Sequence, residues 1–120
     1  MTRERIALGR AGEDAAVHYL RKKGLRIVQR NFRCRLGELD IIARDGSSLV
    51  FIEVRTVAGS AFGTAQESVD RKKRIKLRQV AMYYIQSGNV GNLPMRFDVI
   101  AVTIDRDSKV LKLDHIVNAF

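Results

Sequence analysis

The chain has 120 residues, 46% of them hydrophobic, and carries 22 Lys and Arg against 13 Asp and Glu, a formal charge of +9. Such a length and composition fit one compact domain over residues 1–120, with no room expected for a second. No apolar run approaches the ~20 residues a membrane span needs, and MTRERIALGR lacks the apolar core of a secretory signal, so a cytoplasmic protein without membrane contact is expected.

The excess of base favours polyanionic partners. Nucleic acid comes first, because Lys and Arg contacts to phosphate supply most non-specific affinity through counterion release. A basic chain can also be merely soluble, or ribosome-associated, and charge says nothing about catalysis.

In chain order, a first helix is predicted from Ile6 to Lys23, with Arg21, Lys22 and Lys23 in its last turn and Gly24 as its stop. Gly9, Glu13, Ala16 and Leu20 fall near one stripe at helical spacing. Glu13 therefore sits either at the rim of the packed face or aimed at a polar site. His18 lies off the stripe and reads as solvated.

Residues 25–33 read as a strand anchored by Leu25, Ile27 and Val28, with Arg26, Arg30, Arg33 and Arg35 around it. Those arginines are either an edge protected by charge or a strip that contacts phosphate. Cys34, the only cysteine, can form no internal disulfide and reads as buried and inert. His18 and His115 add no zinc-ligand spacing.

Residues 37–55, GELDIIARDGSSLVFIEVR, place acids inside strand-forming runs around the turn cluster Asp45-Gly46-Ser47-Ser48, which predicts a β-hairpin. With an even loop, Arg44 pairs with Leu49, Asp40 falls opposite Glu53 and Glu38 opposite Arg55, all four on one face. An odd loop would separate the pairs. Facing carboxylates repel unless a cation or proton sits between them. Either a hard cation such as Mg2+ or Mn2+ compensates them, or Arg55 pairs with Glu38 and Glu53 in a salt-bridge cluster.

TVAGSAFGTA then predicts a loop leading into a long helix from Ser68 to Ser87, with Leu77, Val80, Ala81, Tyr84 and Ile85 as its buried stripe. Its first half carries Arg71, Lys72, Lys73, Arg74, Lys76 and Arg78. The macrodipole disfavours cations there; phosphate binding would explain them, as would a solvated face. Met95–Ile104 and Val110–Leu113 read as strands joined by a turn at Asp105–Ser108. The order is helix, three strands, helix, two strands, and a helix between strands permits a parallel crossover. We therefore expect an α/β fold with a mixed sheet flanked by helices.

GRAGEDAAVHYLRKKG at 9–24, RNFRCRLGELDIIARD at 30–45, LVFIEVRT at 49–56, Phe62-Gly63 and RFDV at 96–99 together resemble the bacterial YraN family. That family is similar in fold to restriction endonucleases and archaeal Holliday junction resolvases. The resemblance implies a single restriction-endonuclease-like domain and a DNA-binding, metal-dependent endonuclease, with branched DNA among its admissible substrates. It implies Asp40, Glu53 and the carbonyl of Val54 as ligands of Mg2+ or Mn2+, and Glu13 as a helix-borne site acid. The motif's lysine is replaced here by Arg55, which can bind phosphate but cannot act as a base. The expected catalytic set is thus Asp40, Glu53 and Arg55, assisted by Glu38 and Glu13. The expected nucleic-acid contacts are Arg30, Arg33, Arg35, Lys72, Lys73 and Lys76. A homodimer is compatible with the sequence. Two other readings stand beside the nuclease: a non-catalytic nucleic-acid-binding module with a degenerate site, and a basic protein-interaction subunit.

Overall fold

The structure, a computed structural model, describes residues 3–58, 69–88 and 90–120, the side chains of residues 4 and 5 excepted. Helix α1 spans Arg3–Lys22, and strands β1 (Arg26–Cys34), β2 (Gly37–Asp45) and β3 (Ser48–Ala58) follow it. Helix α2 (Arg71–Ser87) leads to β4 (Met95–Ile104) and β5 (Val110–Ile116). The strands form one sheet in the order β1-β2-β3-β4-β5. Only β3 and β4, the pair joined through α2, run parallel; their neighbours pair antiparallel. This is the expected mixed α/β sheet.

Alternation along the central strands feeds two cores. Ala16, Val17 and Leu20 of α1 pack on Ile41, Ala43, Val50, Ile52, Ile100 and Val102. Leu77, Val80 and Ala81 of α2 pack on Ile42, Leu49, Phe51, Phe97 and Val99. The helices thus cover opposite faces, which is why β3 and β4 are near-continuous apolar runs.

Several boundaries move, each for a local reason. Helix α1 stops at Lys22 because Gly24 turns the chain at φ +92° and the N–H groups of Lys23, Gly24 and Leu25 satisfy its last carbonyls. Gly9 is exposed and leaves the buried stripe, whereas Gly12 is required: a Cβ there would overlap the side chain of Thr56. Val28 does not anchor β1. It sits in a bulge between Ile27 and Gln29 and is 41% exposed. Cys34 is only half-buried.

Strand β3 runs on through Thr56, Val57 and Ala58, where a loop was expected, because all three pair with β4. The rest of that expected loop, with Phe62 and Gly63, lies outside the described residues. Helix α2 starts at Arg71 rather than Ser68, since Asp70 is extended and its carboxylate accepts the Lys73 N–H at 2.8 Å as an N-cap. Strand β5 extends past Leu113 to Ile116. The tail beyond it is anchored by the Ala119 N–H on the Phe97 carbonyl and by stacking of Phe120 on Phe97.

A buried polar clamp fastens the end of the sheet. Asp98, fully buried, accepts from Arg96, from His115 Nε2 at 2.8 Å and from the Asn118 N–H, while Arg96 also reaches Asp45 at the hairpin tip. Burial opposes the Asp98 charge, but those donors outweigh it and hold its carboxyl below the ordinary value. The RFDV block is therefore explained by architecture.

Candidate functional site

The hairpin closes as the even-loop register requires. Asp45 pairs with Ser48 and Arg44 with Leu49, and Gly46 at φ +59° supplies the first position of a two-residue turn whose twist suits the strands. Pairing continues to Ile41 and Ile52 and then stops. One step further, where Asp40 and Glu53 would face each other, the Asp40 carboxylate itself accepts the Val54 N–H at 2.8 Å. A side chain thus takes the place of a ladder bond and the sheet splits. N–H and C=O of one strand residue point to the same side, so the Val54 carbonyl also faces the split.

The neighbouring strand is irregular at the same level. Arg30 pairs with Ile41 and Phe32 with Leu39, which leaves Asn31, at φ +53°, across from Asp40. Arg30 and Ile41 face α1, whereas Phe32 and Leu39 pack on the α2 side, so both strands break alternation here. Asn tolerates this left-handed conformation better than most residues. Its amide donates to Glu13 Oε1 at 3.0 Å.

Asp40 consequently lines hollows on both faces. Beneath α1 a cleft of about 750 Å³ is bordered by Glu13, Arg10, Arg30, Asn31, Glu38, Asp40, Val54 and Thr56. Beneath α2 a smaller hollow of about 260 Å³ is bordered by Gly37, Glu38, Asp40, Glu53, Lys73, Lys76 and Leu77. The absent Cβ of Gly12 lets α1 sit against Thr56, and this sets Glu13 over the first cleft.

The electrostatics separate the acids. Burial foremost, then Glu53, and more weakly Glu13 and Glu38, push the Asp40 carboxyl from 3.8 up to about 7, against the lowering effect of the Val54 N–H. Glu53 is almost buried and meets Lys73 Nζ at 2.7 Å. Glu13 is held by Arg30 Nε at 3.0 Å as well as by Asn31. The same guanidinium also grips Asp14, and these acids raise the Arg30 pKa. Arg30 therefore orients Glu13 before it can serve a phosphate.

The expected pairing of Glu38 with Arg55 does not form, because the ladder ends before reaching them. Glu38 instead lies 3.5 Å from Arg33. Arg55 shares the α2 face with Glu53 by alternation, yet it borders neither hollow, and its buried Nε has no partner among the described residues. The Arg55 salt-bridge cluster is thus replaced by a Lys73–Glu53 pair. Spacing along one strand could not reveal a cation arriving from a helix twenty residues away.

The cations sort by what they touch. Arg33, Arg35 and Lys76 border one groove with Gly37 and Glu38, adjoining the hollow beneath α2, whereas Lys72, one helical turn before Lys76, is exposed and does not border it. Arg74 and Arg78 instead lie over the ring of Phe120, with Arg78 also over Phe97.

Residues 12–102 match the family described as "Uncharacterised protein family UPF0102". The chain belongs to that family. Among UPF0102 proteins it is 50% identical to one from Pelotomaculum thermopropionicum and 48% identical to one from Moorella thermoacetica, each alignment covering all of both chains. A third, from Caldicellulosiruptor saccharolyticus, is 43% identical over 94% of this chain and 96% of its own. The UPF0102 match thus covers α1 from Gly12 onward, the whole lining of the hollow beneath α2, the α1 cleft apart from the part bordered by residues before Gly12 such as Arg10, and β4 as far as Val102.

Among the described residues no three His, Cys, Asp or Glu side chains converge closely enough to form a metal cage. Asp40 and Glu53 nevertheless fit a hard divalent ion. Asp40 is a half-buried acid without a cationic partner among the described residues, and two carboxylates with one carbonyl and water form the all-oxygen set that such ions prefer. Among the described residues no helix is long and apolar enough to cross a membrane.

Proposed function

We propose that this UPF0102 chain binds DNA and hydrolyses its phosphodiesters with Mg2+ or Mn2+ held by Asp40, Glu53 and the Val54 carbonyl. The observation that carries this reading is the split in the sheet, where a half-buried carboxylate short of cationic compensation among the described residues stands beside a buried one and opens toward a basic groove. A bound divalent ion would polarise the phosphate and supply hydroxide near neutral pH. Arg33, Arg35 and Lys76 hold flanking phosphates. Glu13, fixed by Arg30 and Asn31, and Glu38 add acceptors for water at the mouth of the α1 cleft.

A specific observation favours a second reading, a DNA-binding module with a degenerate site: Arg55 stands at the motif's lysine position and borders neither hollow. One experiment separates the two. Purified protein is given nicked, duplex and branched DNA in manganese and in chelator. The nuclease reading expects manganese-dependent cleavage that falls by at least 10²-fold in Asp40→Ala and Glu53→Ala, since both ligands are needed. Tight binding without cleavage, unchanged by either substitution, selects the binding module.

A further inference from the structure

We propose that Lys73, rather than Arg55, is the working cation of this site: in the metal-free protein it neutralises Glu53, a divalent ion displaces it, and its ammonium then turns to a DNA phosphate. The inference rests on the reading of Asp40 and Glu53 as metal ligands.

The Lys73–Glu53 pair is asymmetric. Glu53 lies on a central strand with its side chain only 9% exposed, whereas the Lys73 side chain is 37% exposed at 2.7 Å from it. The carboxylate is therefore fixed and the ammonium has a route to solvent. Its backbone is fixed as well, because the Lys73 N–H is the donor captured by the Asp70 N-cap. What can move is the four-carbon stem, and a compact ammonium re-aims more freely than a planar guanidinium.

Charge points the same way. Asp40 and Glu53 face one hollow, and among the described residues the Lys73 ammonium pairs with Glu53 and not with Asp40. One positive charge covers one of two acids, while a divalent ion would cover both. Once displaced, Lys73 remains beside Lys76 at the mouth of the hollow, next to the groove bordered by Arg33 and Arg35. A phosphate arriving along that groove is the nearest anion of the right kind.

The test uses the whole chain, with manganese binding read by electron paramagnetic resonance and DNA affinity read with and without manganese. Parent, Asp40→Ala and Glu53→Ala first establish whether manganese binds through both acids. Lys73→Met and Lys73→Gln should then bind manganese roughly fivefold more tightly, as losing a competing ion pair of about 1 kcal/mol implies. The same variants should lose the gain in DNA affinity that manganese gives the parent, and Arg55→Met should keep it.

A merely structural Lys73 predicts otherwise: lower thermal stability in Lys73→Met, with manganese binding no tighter and the manganese-dependent DNA gain intact. That result overturns the inference and leaves the metal site standing. Manganese binding that ignores Asp40→Ala and Glu53→Ala overturns the metal site, and the inference with it.

Discussion

Asp40 concentrates the residue-scale physics. Its ordinary carboxyl value is 3.8 and its folded value about 7, so the folded state binds a proton that the unfolded state has already lost between those pH values. Stability therefore falls as pH rises from about 4 to 7, and the full penalty persists above that window. Asp40→Asn keeps an oxygen for the Val54 N–H and removes the charge. We expect its melting temperature to exceed the parent's at pH 8 and to match it near pH 4, as scanning calorimetry at both pH values can check. A parent whose stability is flat from pH 4 to 8 would refute the uncompensated acid.

At this scale the sequence revealed the pairing but not its end. Alternation and an even turn were enough to set Arg44 against Leu49 and to place Asp40 and Glu53 beside one hollow, though not as a ladder pair. Nothing in a list of side chains says that the ladder stops after Ile41, because the stop depends on one carboxylate taking a backbone N–H. Asn31 was equally silent. Its residue type permits a positive φ, but only its position across from Asp40 gives that conformation a consequence.

Elements were more legible than their ends, since periodicity is a property of a run and a boundary belongs to one or two groups. The hydrophobic stripe of α2 at Leu77, Val80 and Ala81 follows from helical spacing. Its start follows from Asp70, the one acid before a first turn that contains no acid of its own. Cations there oppose the macrodipole, so the cap bears unusual weight. Asp70→Ala should cost about 0.5–2 kcal/mol of unfolding free energy in urea. It should also loosen Lys73, whose N–H is the captured donor. Amide hydrogen exchange in the first turn of α2 should rise while exchange in β3 and β4 stays slow. Equal acceleration in all three elements would mean that α2 does not fray independently.

At the scale of the molecule, the net charge of +9 matters less than where the free cations stand. Arg74 and Arg78 lie against aromatic rings, Arg96 is engaged by Asp98 and Asp45, and Arg30 is engaged by Glu13 and Asp14. What remains on the α2 side of the carboxylates is a strip at the end of β1 and just beyond it, where Arg33, met by Glu38 at 3.5 Å, and Arg35 border one groove with Lys76 of α2. If that groove holds a DNA backbone, duplex affinity should fall with salt by about 0.9 log units per log unit of salt for each phosphate neutralised. Arg33→Gln with Arg35→Gln, or Arg35→Gln with Lys76→Gln, should then weaken binding and flatten the salt slope by roughly 2. Arg74→Gln with Arg78→Gln removes the same formal charge as two neutralised groove residues while sparing the groove, so its slope should stay near the parent's even where stability drops. Fluorescence anisotropy across a salt series separates these outcomes. Equal losses from groove and ring-bound pairs would mean that overall charge, and no located groove, drives the binding.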